Sequence, residues 1–175
     1  EEMLMELPSA QENYAQALDI DPSHAPSIRS LRTIYQKEGN WREVIALTAQ
    51  EAEYSTDEPE KAELYQKAAD LSLERFDDVD HAIRFFELSL SAEPYHVPSL
   101  RTLADLYYAD EKWDLAEKLL ERLVDKLDKT EDKDELCKNF YRLAYIAEKL
   151  GDDHAALKRY LASYEYDTTY LPTLE

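Results

Sequence analysis

At 175 residues the chain is long enough for one ordinary domain, and with 44% apolar residues it can bury a core, which excludes wholesale disorder. A formal charge of −19 argues against a nucleic-acid partner, which wants clustered Lys and Arg, and equally against anionic membrane surfaces. Gly occurs only twice, while Ala, Leu, Glu, Lys and Asp dominate, a mixture that favours helices over sheets.

The first residues, EEMLMELPSA, have acidic flanks and do not read as a signal peptide. They do not resemble a natural start either, so a piece of a longer chain is expected. No apolar run approaches the ~20 residues that span a bilayer, so no membrane insertion is expected. Residues 25–29 read APSIR, and the phrase returns as VPSLR at 97–101 and LPTLE at 171–175. The echo is wider than the phrase. Residues 19–47 align without a gap with 91–119, placing Pro22 on Pro94, His24 on His96, Arg29 on Arg101, Tyr35 on Tyr107 and Trp41 on Trp113. Residues 63–94 resemble 138–168 with one residue dropped. The chain therefore alternates two unit types, each about half of the 72-residue period.

One unit can be read from 97–128. Leu100, Leu103, Ala104 and Tyr107 form one helical stripe. Asp110, Glu111 and Lys112 break the period, and Trp113, Ala116, Leu119, Leu120, Leu123, Val124 and Leu127 resume it. The spacing predicts a helix, a tight turn and a second helix. Asp or Glu precedes many of the predicted helices and Pro stands in the first turn of several, as capping preference and a fixed φ require.

The acidic segments 76–80 and 128–135 suggest metal loops. A calcium loop begun at Asp128 needs Gly at its sixth position and Glu at its twelfth, and finds Lys133 and Asn139, so a solvated loop is expected. The four His are scattered and Cys137 has no Cys partner, so neither a zinc site nor an internal disulfide is expected. No nucleophile elbow or phosphate loop is present; no catalytic residue, metal or cofactor is assigned. One Cys fits a reducing compartment, so a cytoplasmic location is expected, with a periplasmic one left open.

The units resemble tetratricopeptide repeats. The match runs through Tyr65, Ala68, Ala69, Ser72, Ala82, Phe86, Ser89 and Pro94, then through Leu100, Leu103, Ala104, Tyr107, Ala116, Leu120 and Leu123. It continues through Phe140, Leu143, Ala144, Ala147, Ala156, Tyr160 and Ser163, and is weaker in the first unit, at Ile28, Leu31, Tyr35, Val44 and Ala52. There Arg32 and Glu51 stand where the family wants small residues, so looser packing is expected. The resemblance implies an all-α, right-handed superhelical solenoid of antiparallel helix pairs. Repeats are expected over 25–61, 62–96, 97–134 and 135–170, with half a repeat at 1–24 and the start of a truncated one at 171–175. First helices would line a concave groove, and Trp41 and Trp113 would wedge between the helices of their own units.

In such repeats the second, fifth, sixth, ninth, twelfth and thirteenth residues of a unit point inward. Those 24 positions hold seven of the 20 basic residues and five of the 39 acidic ones, an inner wall near +2 in a chain of −19. The implied function is a protein-interaction scaffold that holds a protein or peptide segment, one with acidic character. The expected contacts are Arg29, Lys37 and Lys67, then Arg101 and Tyr108, then Tyr141, Arg142, Tyr145 and Lys149. Tyr108, Tyr141 and Tyr145 fall off the packing stripe, toward the groove. The family's clamp for a C-terminal carboxylate is not carried over: its places fall on Arg29, Thr33, Lys67, Pro98 and Thr102, which lack the Asn residues. Two other readings stay open, a non-catalytic arm of a larger enzyme and an RNA-processing scaffold of the half-tetratricopeptide type. Apolar stacking faces at cut ends would favour end-to-end or swapped self-association.

Overall fold

Each predicted pair of helices is closed by a residue that ordinary side chains avoid. The computed structural model describes residues 2–170, with side chains from residue 9 onward, so the truncated repeat expected at 171–175 lies outside the described residues. Over that range the chain forms α1 (Glu2–Ile20), α2 (Ala25–Glu38), α3 (Trp41–Tyr54), α4 (Glu58–Phe76), α5 (Val79–Ala92), α6 (Val97–Ala109), α7 (Trp113–Lys126), α8 (Lys133–Lys149) and α9 (Asp153–Tyr166). Left-handed residues stand between α2 and α3 (Gly39, φ 74°), α4 and α5 (Asp77, φ 52°), α6 and α7 (Glu111, φ 54°), and α8 and α9 (Gly151, φ 80°). Both glycines of the chain are spent on these reversals, where the missing Cβ removes a strain of roughly 1 kcal/mol that Asp77 and Glu111 bear. Asp57, Asp78 and Asp152 cap α4, α5 and α9, accepting hydrogen bonds from the N–H groups of Glu60, His81 and Ala155 at 3.1, 3.1 and 2.9 Å.

The chain divides into two compact units, residues 1–96 and 97–175. In the first, α1 to α5 pack each on the next; in the second, α6 to α9 do the same. Ile28, Leu31 and Leu47 form a core cluster against which Tyr14, Leu18 and Tyr35 pack. No described helix is long and apolar enough to cross a membrane. The outer side of α9 leaves Leu157 and Leu161 exposed.

Two small positions recur in these pairs, one on the first helix and one on the second. Ala69, Ala104 and Ala144 are all 0% exposed on the first helices. On the second helices Ser89 donates from Oγ to the carbonyl of Ala62 at 2.8 Å, and Ser163 likewise to Cys137 at 2.8 Å, tying second helix to first. Leu123 fills the position in α7. In the first pair Arg32 and Glu51 take these places, and they are each other's partner: Arg32 and Arg29 both bond to the Glu51 carboxylate, which is 6% exposed. At these two places the first pair carries a largely buried ion pair where other pairs carry small residues.

His96 ends the first unit and is buried. Ser89 commits its hydrogen to Ala62, so its oxygen is left to accept from His96 Nδ1 at 3.4 Å. Burial lowers the His96 pKa, against the pull of Glu93 and Glu63. A base with a depressed folded pKa contributes stability that is complete above its ordinary value, about 6.5, and is lost as the pH falls below it. The expected result is a urea midpoint that declines on acidification through that value, more steeply in the wild type than in His96→Gln. Parallel slopes would remove His96 from the account.

Candidate functional site

Tyr108 lies one residue past the buried Tyr107, so its ring stands beside the core of the second unit rather than in it. The turn through Glu111 brings Trp113, the first residue of α7, edge-on to it at 5.4 Å. Tyr145 of α8 completes a triangle, 6.2 Å from Tyr108 and 5.9 Å from Trp113. Such tilted and edge-on pairs suit the ring quadrupoles. Arg142, three residues before Tyr145, lays its guanidinium 4.3 Å from the Tyr108 centroid and donates to Asp105 at 2.6 Å. Lys149, four residues after Tyr145, places Nζ 4.8 Å from that ring. Tyr141 extends the surface toward Tyr160 at 5.5 Å and Tyr170 at 5.8 Å.

Burial pushes the phenols of Tyr108 and Tyr160 upward, and the bond from Tyr160 Oη to Glu148 at 3.0 Å pushes the second further. These hydroxyls stay protonated and act as hydrogen-bonding groups, not bases. A hydrogen bond with Tyr145 raises the Lys149 pKa, keeping the ammonium charged. The structure therefore brings Tyr108, Tyr141, Arg142, Tyr145 and Lys149 together. Sequence spacing missed Trp113, Tyr160 and Tyr170 as members of the same surface. Trp113 was assigned to its own unit, yet it meets α8 of the next pair as well as α6. The usable clue was its place directly after a tight turn.

The remaining cations behave differently. Arg101 is bidentate to Glu135, at 2.7 and 2.9 Å. Arg29, its equivalent in the first unit, is held by Glu51 and reaches Glu60 at 3.3 Å. Glu60 and Glu135 are equivalent too, each in the first turn of the following first helix. These two carboxylates lie outside the inward positions read from the sequence, and they cancel the excess of basic charge counted there. Arg29 and Arg101 thus join one helix pair to the next. Lys37 and Lys67 are exposed and make no ion pair among the described residues.

The acidic loop at 128–132 folds on itself. Asp128 Oδ1 accepts from the N–H groups of Thr130 and Glu131 at 2.7 and 3.0 Å, and from the Thr130 hydroxyl at 2.5 Å. Those bonds hold the Asp128 carboxyl below its usual range. Among the described residues no group of three or more His, Cys, Asp or Glu is arranged to hold a metal.

Residues 99–135, spanning α6, α7 and the loop beyond, match the family model described as tetratricopeptide repeat. The fold is that of tetratricopeptide repeats. Solved structures with the same fold include MamA, 15% identical with a TM-score of 0.54, over 97% of this chain and 94% of that one. YrrB is 12% identical with a TM-score of 0.54, over 99% and 84%. PilF of Pseudomonas aeruginosa is 18% identical with a TM-score of 0.53, over 98% and 74%. No curated protein matches the sequence. With nine helices and no strand among the described residues, the chain is an all-α helical repeat.

Proposed function

We propose that this tetratricopeptide array is a non-catalytic protein-binding scaffold. In the second unit a partner segment lies across α6 and α8, on the surface of Tyr108, Tyr141 and Tyr145. The observation that carries this reading is the triangle of half-buried rings with Arg142 and Lys149 on their faces. Amphipathic rings give large contact area at little entropic cost, and such residues dominate binding energy at interfaces. YrrB, similar in fold, is described as a TPR protein with an unusual peptide-binding site, which supports a peptide as the ligand class. A carboxylate of the partner pairs with Lys149, because Arg101 is already matched by a carboxylate of the chain.

Panning a random-peptide library against the chain tests this. Selected peptides are expected to carry acidic residues and to weaken by about 2 kcal/mol on Tyr141→Ala, the size of an interface anchor. Lys149→Glu should weaken them further at low salt than at high salt. Peptides that bind both variants as tightly as the wild type would place the binding surface elsewhere.

A further inference from the structure

A second surface lies in the first unit, on the side where the second helices run. The internal alignment sets Ile45, Ala49 and Phe85 against Glu117, Glu121 and Arg159 of the second unit. In the second unit this junction is ionic: Arg159 of α9 donates to Glu117 and Glu121 of α7, both at 2.5 Å. In the first unit the same junction between α3 and α5 has no such bridge. It holds a cleft of about 600 Å³ lined by Ile45, Ala46, Phe76 and Phe85, where the second unit's cleft of about 420 Å³ is lined by Glu121, Asp125, Lys158 and Arg159. Phe76, at the end of α4, is 42% exposed there.

Two guanidiniums near this cleft rest on rings. Arg42, which lines it, lies 5.5 Å from the Phe76 centroid, and Arg75 lies 3.8 Å from that of Trp41. Neither makes a salt bridge among the described residues. Arg29, Arg32, Arg101, Arg142 and Arg159 each have a carboxylate partner. In a chain of −19, carboxylates are abundant, yet these two guanidiniums rest on aromatic faces. A guanidinium stacked on a ring keeps its N–H edge available for a planar carboxylate. The rim carboxylate, Asp78, is already engaged by the N–H and ring of His81.

We propose that this cleft docks an acidic segment of a partner protein, one that sets an apolar side chain between Ile45, Phe76 and Phe85 and its carboxylates on Arg42 and Arg75. The apolar floor supplies burial and the paired cations supply register and charge selection. This site stands independently of the surface on α6 and α8.

The two tryptophans separate the sites. Trp41 lies under Arg75 and next in sequence to Arg42, and Trp113 belongs to the ring triangle, so their indole N–H resonances in an NMR titration report one site each. The probe is a capped peptide, Glu-Glu-Leu-Phe-Glu-Glu. The Trp41 resonance is expected to shift saturably. Replacing every Glu by Gln, or Leu-Phe by Ser-Ser, should weaken binding about tenfold or more, as loss of an anchoring charge or side chain does. Arg42→Glu with Arg75→Glu should abolish the shift with far-ultraviolet circular dichroism unchanged. If that pair of changes disturbs folding, Arg42→Gln should still weaken the peptide. A Trp41 resonance that stays fixed at millimolar peptide, or a Gln peptide that binds equally well, overturns the proposal. Movement of Trp113 alone overturns it too, while leaving the α6 and α8 surface intact.

Discussion

Replacing Glu51 by Ala is expected to lower the stability of the first unit by about 3 kcal/mol, the low end of the cost of breaking a buried ion pair. Glu51 is 6% exposed and Arg32 is 18% exposed, so removing the carboxylate leaves a nearly buried guanidinium without its partner. Arg29, 56% exposed, turns to water or to Glu60 and loses little. The telling variant is the double one. Arg32→Ala with Glu51→Ser installs the residue types found at the two equivalent positions of other repeats, Ala69 and Ser89 in one, Ala144 and Ser163 in another, where the Ser ties its helix to the first. It should return to within about 1 kcal/mol of the wild type, since replacing a whole buried pair is far cheaper than halving it. Urea unfolding followed by circular dichroism measures all of these. A double variant that loses the sum of both single losses would show that the ion pair does not substitute for the small residues.

Arg142→Glu should destabilise the second unit by about 2 kcal/mol, through loss of a half-solvated pair and of a cation on a ring. Arg142 is 12% exposed and Asp105 53%, so a carboxylate at 142 is poorly hydrated itself and meets Asp105 at close range, with water screening the pair only from the Asp105 side. Adding Asp105→Arg reverses the polarity of the pair and should recover most of the loss. Arg101→Glu should cost less, about 1 kcal/mol, because its pair with Glu135 is largely solvated at 47% and 26% exposure. Thermal melts of the three variants check the order. An Arg142→Glu chain that melts with the wild type would show that Asp105 and Tyr108 do not hold that side chain. The same numbers govern binding measurements: peptide affinity on Arg142→Glu must be referred to the folded fraction, whereas Arg101→Glu reports on charge alone.

The helix pairs were legible because period and capping are local. Leu100, Leu103, Ala104 and Tyr107 announce a stripe by spacing, and Asp57, Asp78 and Asp152 announce helix starts by residue type. The reversal at Glu111 was legible only as a break in the period, since a left-handed Glu carries no sequence mark such as Gly39 and Gly151 do. Among the candidate site residues, Tyr108, Tyr141, Arg142, Tyr145 and Lys149 do lie together. Their charges were harder to read. Arg29 and Arg101 look available in a list of inward positions, yet each meets a carboxylate about 30 residues further along, beyond the reach of any helical spacing rule.

The sequence by itself determined that the chain is a tandem of amphipathic helix pairs, because a stripe repeated at helical spacing has no other way to leave water. Only the tertiary structure decided which charges are spoken for. Whether Arg32 clashes or pairs, whether Arg101 waits for a partner or holds Glu135, and whether Arg42 and Arg75 stay on their rings all depend on contacts between helices distant in the chain. A Coulomb interaction is set by separation and burial, and neither is encoded by spacing along one helix.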